Sequence, residues 1–164
     1  YALAGAYVAH FVFNLKPDST KYVFYDFGEI ILLALGILLA SLVTAILFSK
    51  KKAADKGDQI WNSTSKRLLT SMAVPLVIGG VLIIFYLSND LYGLIAPTSL
   101  VFYGISLYNA GNFTIAEVRW TGYIQITLGL LNFWFLEFGL LFWSIGFGVT
   151  HLVYGIYMHF RYER

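Results

Sequence analysis

Between Thr121 and Met158 the chain runs for 38 residues with a single charged side chain, Glu137. As one continuous helix this stretch would measure roughly 57 Å, about twice the ~30 Å of hydrocarbon in a bilayer. It therefore has to fold back near its middle, and Glu137-Phe138-Gly139 is the polar-plus-glycine break at which it can do so. Each arm of the resulting helical hairpin is then close to a membrane span in length. The rest of the chain agrees, with 59% hydrophobic and only 12% charged residues, where a soluble domain carries about 25% charged. The expected class is an all-α integral membrane protein.

Cutting the apolar runs at their polar interruptions predicts about six transmembrane segments forming one bundle over residues 1–164. The first is 1–14, short of the roughly 20 residues a span needs and expected to be truncated, since the sequence opens at Tyr1 without methionine. The second is 27–48, and the hydrophilic stretch 49–67 follows it. The third is 68–87, the fourth 91–110, and the fifth and sixth divide 121–158. Pro75 and Pro97 are each expected to free a backbone carbonyl and bend their segment. Phe102-Tyr-Gly-Ile-Ser-Leu107 and Val153-Tyr-Gly-Ile-Tyr-Met158 match at an offset of 51 residues, which admits either coincidence or a parallel repeat of helical hairpins.

Orientation follows from where the basic residues fall, because cytoplasmic loops carry the Lys/Arg excess. Lys50, Lys51, Lys52, Lys56, Lys66, Arg67, Arg119, Arg161 and Arg164 collect on one side, against Lys16 and Lys21 on the other. That places both termini and the 49–67 loop in the cytoplasm. The loop's basic residues, Lys50, Lys51, Lys52, Lys56, Lys66 and Arg67, would then lie against anionic lipid headgroups, each attracted by about 1 kcal/mol. The Asn-x-Ser/Thr triplets at Asn62 and Asn112 would face the cytoplasm and are expected to be chance matches. Glu117 and Arg119, two residues apart, could pair only in an extended segment.

An ionisable side chain at membrane depth is a functional candidate by default. His151 falls about twelve residues into the sixth segment, past the bilayer centre, where its imidazole needs a partner. Tyr154 shares its helical face, and Tyr103, Tyr108 or Asn109 could reach it from another helix. A neutral histidine tying helices together and a proton relay both fit this position. Haem ligation by paired histidines does not, because His10 and His159 lie at other depths. Glu137, with Asp26, Glu29 and Asp90, forms an acidic rim at the outer helix starts, explained by hydration and helix dipoles or by attraction of cations. Small residues four apart mark packing seams that also suit a homo-oligomer or a membrane-protein partner: Ala2/Ala6, Gly5/Ala9, Gly36/Ala40/Thr44 and Ser144/Gly148.

The chain has no cysteine, which excludes disulfides, thiolate metal sites and a cysteine nucleophile. It also lacks a phosphate-binding glycine loop, a His-Glu-x-x-His pair and a Gly-x-Ser-x-Gly elbow. No enzyme, cofactor, metal or nucleic-acid partner is expected. The segment LLFWSIGFGVTHLVYGIYMHFRYE, from Leu140 to Glu163, resembles the end of a group of small multi-span bacterial membrane proteins with no assigned activity. The resemblance implies a bacterial inner membrane and a six-span helical fold. The leading expectation is a non-enzymatic protein that acts by interaction, as an accessory or scaffolding subunit or a small membrane sensor. The alternative is a small-solute or proton pathway through His151, with the acidic rim as its outer mouth.

Overall fold

The computed structural model describes residues 62–162 throughout and, before them, scattered helical positions between 3 and 47. The described chain is all-helical, 91% helix with no strand. The chain divides into two compact units, Tyr1–Ile60 and Trp61–Arg164. Asp26, Glu29, Lys50, Lys51, Lys52 and Lys56 lie outside the described residues, as do His10, Ala2, Ala6 and Ala9.

In the first unit, buried Gly5 sits against the Ile37 side chain, which a Cβ at Gly5 would overlap. Small residues expected at a seam behave differently here. Gly36 and Ala40 are exposed, and no atom lies within 4 Å of a Cβ built on Gly36.

The second unit comprises α1 (Ser63–Ser88), α2 (Ile95–Ala110), α3 (Ala116–Trp134), a short α4 (Gly139–Trp143), a π-helical segment (Ser144–Thr150) and α5 (His151–Tyr162). Among the described residues two stretches are long and apolar enough to cross a membrane: α1, and the 26 residues Leu136–Arg161 that join a 3-10 turn, α4, the π segment and α5. α2 has 16 residues, about 24 Å of helix. A 3-10 turn at Tyr92–Leu94 precedes it. α3 begins with Glu117 and Arg119 in its first turns.

α1 starts at Ser63, five residues earlier than hydropathy suggests, because Asn62 caps it. The Asn62 side-chain oxygen accepts from the Ser65 N–H at 2.8 Å, satisfying a donor that the first turn leaves open. α1 ends where Asp90 takes φ 57° and the Leu91 N–H reaches back to the Tyr86 carbonyl at 2.9 Å, a helix-closing pattern that usually employs glycine. Asp90 thus closes α1 and stands five residues before α2 begins. α3 likewise starts at Ala116, inside the stretch expected to be a polar connection, and its helical geometry keeps Glu117 and Arg119 from pairing.

Every residue of α2 is buried or half-buried, so this helix is the centre of the unit. One face meets α1. There the Ser106 hydroxyl is shared between the Met72 carbonyl at 3.1 Å and the Phe102 carbonyl of its own helix at 2.9 Å, and Asn109 donates to the Ser71 carbonyl at 3.3 Å. Ser71 is four residues before Pro75, so its carbonyl is the one that the missing proline N–H leaves without a helical partner. Asn109 supplies the replacement donor for the carbonyl that Pro75 was expected to free. Pro97 differs. It is the third residue of α2, in a first turn whose N–H groups have no helical acceptor, and there it removes no bond.

These two side chains should be energetically coupled. Asn109→Ala is expected to cost about 1 kcal/mol with Pro75 present and less in a Pro75→Ala background, where the restored N–H serves Ser71. Equal costs in both backgrounds, measured by unfolding in mixed detergent micelles, would rule out this role for Asn109.

A second face of α2 meets α3 almost backbone to backbone. A Cβ on Gly104 would lie 2.7 Å from the Ile126 nitrogen and 2.8 Å from the Gly122 carbonyl oxygen. One on Gly122 would lie 2.6 Å from the Tyr108 nitrogen, and one on Gly129 2.9 Å from the Pro97 oxygen. The Gly104/Gly111 and Gly122/Gly129 pairs are each seven residues apart, two helical turns, which keeps them on one stripe. The third face of α2 carries Ala96, Leu100 and Tyr103 toward the C-terminal arm. Gly155, the counterpart of Gly104 in the short internal match, meets nothing within 4 Å. The two matched segments therefore occupy unlike environments.

Candidate functional site

The hairpin that the 38-residue run requires is present, with its turn at Phe135–Phe138 and Glu137 exposed at the tip. Its arms, α3 and the C-terminal stretch, run antiparallel. Gln125 of α3 donates to the Gly146 carbonyl at 2.7 Å. At the open end Glu117 pairs with Arg161 at 2.9 Å. Leu136 at the tip lies 3.8 Å from a Cβ built on Gly93 in the preceding turn. The Asp90 and Glu137 turns therefore share one end of the unit, and Lys66, Arg67, Arg119 and Arg161 share the other.

Halfway along this arm the helix adopts the π register for seven residues, Ser144–Thr150. π segments are rare and are frequent at functional sites. Here two side chains bond carbonyls five residues back: Thr150 to Ile145 at 3.0 Å and His151 Nδ1 to Gly146 at 3.0 Å. Because a carbonyl can only accept, Nδ1 carries the proton, and Nε2 of the neutral ring is left as an acceptor. The Tyr103 hydroxyl, coming from α2, lies 2.9 Å from Nε2 and donates to it. His151 is thereby tied at both nitrogens, once within its own helix and once across to α2.

The cluster extends in two directions. The Gly146 carbonyl takes Gln125 as well as His151, and a Cβ at Gly146 would overlap Leu100 and Gln125. Gln125 is fully buried, yet its Oε1 has no hydrogen-bond partner, and the same holds for Asn132 Oδ1. Around His151 the rings are layered. Phe147 stacks parallel to the imidazole at 6.2 Å between centroids, with Tyr103 4.9 Å and Trp143 5.0 Å from Phe147.

Of the residues singled out from the sequence, His151 and Tyr103 are brought together. Tyr154 lines an open groove between α3 and α5. This groove, of about 420 Å³, has Trp120, Ile124, Val149 and Val153 as its apolar walls. Glu117, Thr121, Thr150, Tyr154 and Tyr157 supply its polar positions. Tyr108 and Asn109, the other proposed partners of His151, face elsewhere. Tyr108 packs on Tyr123 at 5.2 Å, and Asn109 serves Ser71. Ser144 and Gly148 do not form a seam of equals, since Gly146 and Gly148 are the buried pair and Ser144 is half-buried. Lys66 and Arg67 lie in the exposed first turns of α1.

Both glycosylation-like asparagines have structural work. Asn62 caps α1, and Asn112 accepts from Arg119 at 2.8 Å. Sequence reasoning passed over Gln125 and Asn132. The signal was available, because Thr121, Gln125 and Asn132 recur at helical spacing beside Gly122 and Gly129, and all three are buried. In comparison with known proteins, no family model matches the chain, nor does any curated protein or solved structure.

The His151–Tyr103 bond crosses between helices, so its loss should be felt asymmetrically. His151→Phe is expected to destabilise by about 1–2 kcal/mol, because Tyr103 is left with an unmet hydroxyl. Adding Tyr103→Phe should recover part of that loss. Strictly additive losses in the double variant would show that the two side chains are not coupled.

Proposed function

We propose that this chain is a multi-span integral membrane protein of a bacterial inner membrane that acts by interaction, as an accessory or scaffolding subunit or a small membrane sensor. The observation that carries this is an inside-out distribution of polarity. Among the described residues the buried hydrophobic side chains are Leu100 and Ala110, whereas Thr98, Ser106, Thr121, Gln125 and Asn132 are all buried. Large apolar side chains face outward along α1, α3 and α5, Val77, Ile84, Leu131 and Ile156 among them. Exposed apolar surface on this scale marks a membrane or a partner.

Six segments with both termini in the cytoplasm are part of this proposal. The separation of charge along the second unit supports it, with Lys66, Arg67, Arg119 and Arg161 at one end and Asp90 and Glu137 at the other. A scaffold role draws support from the π segment as well, since both nitrogens of His151 are committed to holding helices in place.

The absence of native cysteine makes the topology directly testable. Single cysteines at Lys66 and Thr114 should react with a membrane-impermeant maleimide from the cytoplasmic face only, and those at Asn89 and Glu137 from the outer face only. Labelling of Lys66 and Glu137 positions from the same side would sink the topology. Release of the chain from membranes by carbonate would sink the membrane assignment itself.

A second function, a proton or small-solute pathway, is favoured by the unpartnered buried oxygens of Gln125, which shares the Gly146 carbonyl with His151, and of Asn132, nearer the hairpin turn beside Gly139, since such acceptors are what water in a polar file would satisfy. Flux in reconstituted vesicles separates the two. A pathway conducts and loses conduction on His151→Leu or His151→Phe, whereas an interaction protein shows no flux in parent or variant.

A further inference from the structure

We propose that the groove between α3 and α5 binds one acyl chain of an anionic phospholipid drawn from the leaflet at the basic end of the bundle, with the phosphate at Arg161. This rests on the membrane assignment above and adds a specific site and ligand class to it.

The groove has the polarity gradient of a lipid. Its walls are Ile124, Val149 and Val153 at one end and Trp120 and Tyr157 nearer the other. From Glu117 to Ile124 and from Val149 to Tyr157 it follows about two helical turns, roughly 10–12 Å along each helix. Its volume of about 420 Å³ lies within the ~300–1,000 Å³ usual for small-ligand sites. The charged end coincides with the first turn of α3 and the last turn of α5, where the helices leave the apolar layer. Trp120 and Tyr157 stand at that level, as ring systems do at a headgroup boundary.

Charge complementarity selects the occupant. Arg161 closes the groove's end, half-exposed, paired with Glu117 and hydrogen-bonded to the Tyr157 hydroxyl. A guanidinium has five N–H donors in a planar fork, so it can hold a carboxylate and still present donors to a phosphate. Glu117 is the single acid among the described residues at this end, against Lys66, Arg67, Arg119 and Arg161. The surrounding field therefore favours a headgroup with net negative charge over a zwitterion.

The test uses the full chain in detergent, stripped of lipid and presented with equal amounts of palmitoyl-oleoyl phosphatidylglycerol, phosphatidylethanolamine and phosphatidylcholine, with bound lipid read by native mass spectrometry. Phosphatidylglycerol should be retained about tenfold better than phosphatidylcholine, since both offer a phosphate but only phosphatidylglycerol carries the net negative charge that the basic end attracts, at about 1 kcal/mol per basic side chain. Arg161→Gln should weaken that preference. Ile124→Trp, which fills the groove from its wall without touching the ion pair, should remove the retained lipid, whereas Val77→Trp on the exposed face of α1 should not. Monodisperse elution confirms that each variant is folded.

Equal retention of the three lipids by the parent, or unchanged retention in Ile124→Trp, would overturn the site. Those outcomes leave the membrane assignment standing if the chain resists carbonate extraction. A chain that carbonate releases fails the membrane assignment first.

Discussion

Replacing Gly122 with alanine is expected to destabilise the second unit by about 1–3 kcal/mol, the range for forcing an added methyl into a packed interior. The methyl would stand 2.6 Å from the Tyr108 nitrogen and 2.8 Å from the Gly104 oxygen. Both neighbours are backbone, so no rotamer change can make room and the two helices must separate. Separation would also loosen Gly104 and Gly129, which depend on the same close approach. Gly80→Ala is the matched control. Nothing lies within 4 Å of its Cβ, and alanine should leave stability unchanged or raise it by up to about 1 kcal/mol through helix propensity. Equal effects of the two substitutions in a detergent-titration unfolding experiment would refute the backbone seam.

Gln125→Glu should be more damaging, by about 3 kcal/mol or more. Gln125 is fully buried, and its amide N–H is the group that meets the Gly146 carbonyl at 2.7 Å. An ionised carboxylate would set an acceptor against that acceptor and bury a charge among Leu100, Gly146 and the helix backbones. Gln125→Met keeps the shape without the charge. It should cost only about 1 kcal/mol, since it deletes the unpartnered Oε1 together with the donor, and His151 still serves the Gly146 carbonyl. Folded yield in mild detergent and midpoints of denaturant-induced unfolding would rank the parent above Gln125→Met and Gln125→Met well above Gln125→Glu. A glutamate variant as stable as the methionine variant would refute the expectation that a carboxylate at this position is left ionised and unmet.

The hairpin around Glu137 was legible in the sequence because length is a hard constraint: 38 nearly uncharged residues would make roughly 57 Å of continuous helix, about twice the hydrocarbon thickness of a bilayer. The Pro75 carbonyl was legible too, since proline's missing N–H acts wherever the residue sits within a helix. Pro97 shows the limit of that rule. Its effect depends on where the helix begins, and the start of α2 at Ile95 follows from the preceding 3-10 turn, not from hydropathy. The starts of α1 at Ser63 and of α3 at Ala116 were misplaced for a related reason, since hydropathy locates the apolar part of a helix while capping and helix propensity carry the helix beyond it.

For the candidate site, the suspicion attached to His151 came from the cost of an imidazole among apolar residues, and that cost is local. Its partner was not local. Tyr103, Tyr108 and Asn109 stood equal in the sequence, and only the docking of α2 against the π segment selects Tyr103. Spacing of four residues drew attention to Ser144 and Gly148, whereas the closest contacts use glycines seven apart on two different helices. Small residues four apart are common within any one helix. Which glycine stripe is used depends on the partner backbone lying against it.

Composition and run lengths by themselves determined that this chain is helical, that its apolar surface exceeds what a soluble domain carries, and that its longest run turns at Glu137. Those are consequences of transfer free energy and helix rise, which depend on residues and their order alone. Tertiary structure decided that α2 is the central helix, that Gln125 and Asn132 are buried, that His151 is held by Tyr103 and Gly146, and that Glu117 meets Arg161 instead of Arg119. Each of these is a pairing between residues on different helices or across a change of helical register, and pairing energies exist only once the backbones have been brought within a few ångströms of one another.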